Sequence, residues 1–206
     1  EGTRVGSEVE HNHTEQEVHD RASALIKAAK GLVFVDFSMS NVDRFLSFYN
    51  ATVASGRKMV VDTRFAYILS QLRQKIPALP DVLTDKNLLV YFRLCKSCTF
   101  SKMDYFPWER DFLPRMVTYR ELAKSGSKYV MHMGFYKLME LVYLQPRGAD
   151  FIWSMSEHFL EGEDNEDMKR VLENWLRHFG ITLHKVHCSG HASPTDIAEA
   201  IKTINP

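Results

Sequence analysis

Apolar positions follow two rhythms along this chain, the period of helices and the continuous runs of buried strands. Thr14 and Glu17 stand at the spacing of a capping box, and Val18, Ala22, Leu25, Ile26 and Ala29 follow on one helical face. Gly31 stops that helix, and Leu32-Val33-Phe34-Val35-Asp36-Phe37 reads as a strand buried on both sides. Ser40 or Asn41 caps a second helix carrying Val42, Phe45, Leu46, Tyr49 and Val53. Gly56 closes it ahead of the strand Lys58-Met59-Val60-Val61-Asp62. A helix from about Arg64 to Gln74, a proline-bearing linker from Ile76 to Asp81 and a strand from Leu88 to Phe92 come next. From Leu94 to Ser127 the rhythm loosens, and two prolines among aromatics and mixed charges predict an insertion with one or two short helices. Order returns with a strand at Lys128-Tyr129-Val130-Met131, a helix from Phe135 to Leu144 and a strand at Asp150-Phe151-Ile152-Trp153-Ser154. A helix from about Asp164 to Phe179 and a strand from Ile181 to Val186 follow. A last helix starts with Ser193 as N-cap, Pro194 in first place and Asp196 completing the box, and buries Ile197, Ile201 and Ile204.

Apolar strands separated by amphipathic helices predict an α/β fold, a parallel sheet with helices on both faces. In such sheets ligands bind at the carboxyl ends of strands. Ser38-Met39-Ser40, Ser154-Met155-Ser156 and His187-Cys188-Ser189 all fall at such ends.

The totals bound the answer loosely. A chain of 206 residues, 45% apolar and 12% aromatic, can build the core of one large domain or of one domain with an insertion. Its 26 basic and 26 acidic residues balance, which argues neither for nor against nucleic acid. No apolar run reaches the roughly 18 residues of a membrane helix, and nothing at the start reads as a signal peptide. Three cysteines at irregular positions do not make a disulfide framework, so a reducing cytoplasm is the default. There is no internal repeat, and the lack of a Gly-x-Gly-x-x-Gly or P-loop argues against a free-standing nucleotide-binding domain.

Chemistry concentrates near the end of the chain, in Lys185-Val186-His187-Cys188-Ser189-Gly190-His191-Ala192-Ser193. A strand delivers two histidines and two serines onto a glycine turn, and a capped helix starts at once. Backbone N–H groups at a helix start, flanked by hydroxyls and imidazoles, suit a phosphate. The same arrangement also serves as simple capping.

Four ordered segments resemble the β-CASP domain of metallo-β-lactamase-superfamily RNA-processing nucleases, above all archaeal-type ribonuclease J. Glu1-Gly2-Thr3-Arg4 is similar to the acidic motif that opens the region. Ser40-Asn41-Val42-Asp43-Arg44-Phe45 with Ser55-Gly56-Arg57-Lys58-Met59-Val60-Val61 resembles its helix and Gly-Arg-Lys strand. Asp150 to Ser154 resembles its late strand, and the segment from Lys185 to Ser193 its histidine motif, with His191 as the motif histidine. The resemblance covers most of the chain except residues 94–127. It implies that residues 1–206 are a β-CASP domain, a Rossmann-like three-layer fold, excised from a larger chain. Its parent would be a metal-dependent ribonuclease hydrolysing RNA phosphodiesters, a 5′→3′ exonuclease, with two zinc ions on a lactamase domain absent here and none in this chain. Glu1 and His191 would be catalytic, the carboxylate orienting the imidazole. His187, Ser189, Ser193, Arg44 and Arg57 would bind phosphate or RNA. The partners implied are single-stranded RNA, the chain's own lactamase domain and, in a homodimer, a second copy, with no membrane. A DNA-acting relative and a non-catalytic assembly module stay open as alternatives.

Other features read more plainly. His11-Asn12-His13 lacks the Asp-His that would complete a lactamase metal motif and reads as a solvated loop. Cys95-Lys96-Ser97-Cys98 is a lone pair of thiols, short of the further ligands a zinc site needs. Phe100, Tyr105, Phe106, Trp108 and Phe112 interleave with Lys96, Lys102, Arg110 and Arg115, a pattern that fits either a small private core or base stacking. The acidic run from Glu157 to Asp167 reads as a solvated loop and helix start.

Overall fold

Along the first strand Val33 and Val35 face one side of a sheet and Phe34 the other, and every long strand repeats this division. Met59 and Val61, Leu88 and Val90, Val130, and Ile152 join the first core; Val60, Tyr91, Met131, and Phe151 with Trp153 join the second. A sheet apolar on both faces must be covered on both, and helices do so. The computed structural model describes residues 14–155, 165–188 and 192–205. Its elements run α1 (Glu15–Ala28), β1 (Val33–Asp36), α2 (Val42–Ala54), β2 (Lys58–Asp62), α3 (Thr63–Arg73) and β3 (Leu88–Tyr91). They continue with α4 (Pro107–Arg110), β4 (Met116–Val117), α5 (Tyr119–Lys124), β5 (Tyr129–His132) and α6 (Leu141–Leu144). Last come β6 (Asp150–Trp153), α7 (Glu166–Phe179), β7 (Thr182–Lys185) and α8 (Pro194–Ile204).

The seven strands form one parallel sheet in the order β4-β3-β2-β5-β1-β6-β7. Helices α1, α2 and α3 cover the first face through Val18, Ala22, Ile26, Phe45, Phe48, Phe65 and Leu69. Helices α5, α6 and α7 cover the second through Leu122, Leu141, Leu144, Leu172 and Leu176. This is a three-layer, Rossmann-like α/β architecture, and it contains the parallel sheet covered on both faces that the apolar rhythm implies. Each fully buried Phe or Leu contributes about 2 kcal/mol. Among the described residues no helix is long and apolar enough to cross a membrane.

Three local departures have physical reasons. Helix α1 ends at Ala28, and Gly31 is needed for space: a Cβ there would lie 2.8 Å from the carbonyl oxygen of Arg147, closer than packed atoms tolerate. The expected helix from Phe135 to Leu144 is a 3-10 stretch over Phe135–Glu140 before the single turn of α6, and its N-cap, Gly134, has no side chain to cap with. Part of the expected insertion belongs to the sheet: Met116 and Val117 pair with Val90 and Tyr91 as an edge strand.

The connections fix where a crevice opens. From β1 and β2 the chain moves toward the β4 edge over the first face; from β5 and β6 it moves toward the β7 edge over the second. Neighbouring strands β2 and β5, and β1 and β6, therefore send their connections away from each other over opposite faces, and the carboxyl ends between them are the fold's switch points.

Candidate functional site

Helix α2 starts just beyond the carboxyl end of β1, capped by the Asn41 side chain accepting from the Arg44 N–H at 2.9 Å. That cap turns Arg44 inward, where it is 1% exposed. Its guanidinium grips the Glu15 carboxylate, Nε at 3.0 Å and a terminal nitrogen at 2.8 Å. The other terminal nitrogen donates to the Ser154 carbonyl at 3.0 Å and hydroxyl at 2.6 Å, and Cys188 Sγ lies 3.0 Å from the first. One arginine thus ties α1 and α2 to the carboxyl ends of β6 and β7. Burial pushes the Glu15 carboxyl up, but hydrogen bonds from Arg44 and Cys188 and the charges of Arg44 and His187 outweigh it, holding the group below its ordinary value. Burial, then the hydrogen bond to Glu15, pushes the Cys188 thiol up, so it stays a thiol.

His187 leaves the end of β7 against the same cluster. Its Nδ1 lies 3.1 Å from the Ser154 carbonyl oxygen and 3.4 Å from a terminal nitrogen of Arg44, so the ring is oriented against both. Ser154 is itself anchored, its N–H donating to the Asp36 carbonyl at 2.8 Å and its hydroxyl to the Val186 carbonyl.

A second group lies at the neighbouring switch point. Asp36 ends β1, takes the Phe135 N–H at 3.2 Å, and burial raises its pKa to about 7 against that bond and the Lys137 charge. Asp62 ends β2 and caps α3, accepting from Phe65 N–H at 2.6 Å while the Lys137 ammonium pairs with its other oxygen. His132 ends β5 with Nε2 2.9 Å from the Phe37 carbonyl, its ring against Phe37 and Phe65; burial lowers its pKa to about 4. Asp36, Asp62 and Lys137 were not singled out as site residues in the sequence. The signal was there in part, since two apolar strand runs each close on an aspartate.

The expected site residues divide. His187 stands at the carboxyl ends, beside Ser154. Arg44 does not offer its guanidinium to a ligand, because Glu15, Ser154 and Cys188 occupy its donors. Arg57 lies at the amino end of β2, opposite the switch points, and donates to the Gly31 carbonyl at 2.8 Å and to that of Ala29. It secures the end of α1. Ser193 is 0% exposed and its hydroxyl closes the α8 capping box, donating to Asp196 at 2.7 Å and accepting the Asp196 N–H at 3.1 Å. Glu1, Ser189 and His191, like His11-Asn12-His13, lie outside the described residues. Among the described residues no group of three or more His, Cys, Asp or Glu side chains is placed to hold a metal ion.

The fold and this cluster define a parallel α/β domain with an anchored imidazole at its switch points. No protein-family model matches the chain, and no curated protein matches it.

Proposed function

We propose that this chain is the β-CASP half of a metal-dependent ribonuclease, supplying the phosphate-binding wall of a site that hydrolyses RNA phosphodiesters. The observation that carries the reading is His187, held beside Ser154 at the carboxyl end of the sheet, two positions ahead of the Ser189-Gly190-His191 sequence that resembles the family's histidine motif. An imidazole anchored at the strand ends donates a hydrogen bond to a phosphate oxygen when it is protonated. Arg44 and Glu15 act one step back: they position Ser154 and the β7 end and touch no substrate. His191 would protonate the leaving oxygen, with Glu1 orienting its ring. When bound, zinc on a lactamase fold supplies the activated water; the described residues of this chain form no such site. The test is incubation of the full-length protein with 5′-monophosphorylated single-stranded RNA in zinc or manganese, with products mapped by length. Stepwise shortening from the 5′ end supports the reading, and intact RNA in both metals contradicts it.

A further inference from the structure

Four aromatic side chains stay in water at the carboxyl end of the sheet: Tyr136 is 90% exposed, Phe106 62%, Tyr67 44% and Trp108 39%. The same insertion buries Tyr105 at 3% and Phe112 at 4%, so its rings divide between the core and the surface. Three elements hold the outward rings together at the start of α3. Lys137, next to Tyr136, pairs with the Asp62 cap. The Thr63 hydroxyl, one residue on, donates at 2.7 Å to Glu109, which neighbours Trp108 in α4. The Tyr67 and Trp108 rings then meet edge to face at 5.5 Å.

Charges of both signs surround this knot. Three of its carboxylates are engaged internally, Asp62 by Lys137 and the Phe65 N–H, Glu109 by Thr63 and the Phe106 N–H, Glu140 by the Tyr91 hydroxyl, while Asp111 at the end of α4 is exposed. Arg64, beside Thr63, is exposed and makes no hydrogen bond or ion pair among the described residues, and Lys102 is the same. Rings in water, with uncommitted cations on α3 and just ahead of α4, fit a polyanion that itself carries rings.

We infer that this rim is a stacking surface for the unpaired bases of single-stranded RNA. The inference rests on the ribonuclease reading and extends it by placing the strand beyond the phosphate wall. In the sheet order, three strand spacings, about 14 Å, separate the end of β2 from that of β6 beside His187. A strand whose phosphate sits at His187 therefore reaches the rim within a few nucleotides.

The experiment is fluorescence anisotropy of this chain with a ten-nucleotide single-stranded RNA and with an abasic ribose-phosphate strand of the same length. Both are run against wild type and a Trp108→Ala/Tyr136→Ala double variant whose melting curve confirms folding. Wild type is expected to prefer the base-bearing strand about tenfold or more, and the double variant to lose that preference while holding the abasic strand unchanged. Equal binding of both strands by wild type, or a preference that survives in the variant, overturns the stacking surface and leaves the phosphate wall standing. Failure of wild type to bind either strand also overturns it, while RNA cleavage by the full-length protein decides the ribonuclease reading separately.

Discussion

Arg44 shows what a single residue does here. Its guanidinium joins segments 29, 110 and 144 positions away in the chain, and its own burial depends on all of them. Removing it strips Glu15 of its charged partner and the Ser154 carbonyl and hydroxyl of a donor. Arg44→Ala is therefore expected to cost about 3 kcal/mol in urea unfolding. Arg44→Lys should cost nearly as much, because an ammonium cannot reproduce the fork; a loss under about 1 kcal/mol would contradict the tie. The residue was legible in the sequence as chemistry, but its role was not, since an arginine on an amphipathic helix looks alike whether it meets a phosphate or a distant carboxylate. Asp36 and His132 make a second prediction at this scale. Asp36 keeps its proton in the folded state up to about pH 7, where the unfolded chain releases it near its ordinary 3.8, so its contribution falls as pH rises through that interval. His132 stays neutral in the fold down to about pH 4, while the unfolded chain protonates below 6.5, so its contribution rises with pH over that interval and is lost as pH falls. The two slopes oppose. Unfolding free energy of the wild type should be nearly flat there, and Asp36→Asn should uncover a rise with pH; a variant as flat as wild type would sink the assignment.

Among the elements, the capping boxes were the most legible. Thr14 with Glu17 and Ser193 with Asp196 start α1 and α8 where the residue types place them, because a cap needs only neighbours three positions apart. The 3-10 stretch after Gly134 was not legible, since apolar spacing over ten residues does not separate a tight helix from an α-helix. Strand β4 escaped notice for another reason: two residues carry no periodicity, and only pairing with Val90 and Tyr91 makes them a strand. Glycines divide in the same way. Gly31 faces the backbone of Arg147 and Gly148, whereas Gly56, at φ 73°, has open space and needs only its left-handed backbone. Gly31→Ala should destabilise by about 2 kcal/mol or more through that clash, and Gly56→Ala by about 1 kcal/mol through strain. Thermal melts that reverse this order would contradict the packing at the start of β1.

For the whole molecule, the sheet order decides where chemistry gathers. A parallel sheet was readable from its apolar runs, but the insertion of β5 between β2 and β1 was not, because order within a sheet is set by crossovers that leave no local mark. That insertion brings Asp36, His132 and Asp62 onto adjacent strands and puts the Ser154 and His187 pair one step away. The sequence located the His187 end correctly in the fold. Arg57, expected from the resemblance to contact RNA, lies at the opposite end of the strands, holding α1. The central proposal is that the sequence after His187 contributes to an RNA-cleaving site. Its most direct test is the initial cleavage rate of 5′-monophosphorylated single-stranded RNA by the full-length protein, wild type against His191→Ala, in zinc and in manganese. The account predicts a loss of about a hundredfold or more, and a rate indifferent to the substitution would contradict it.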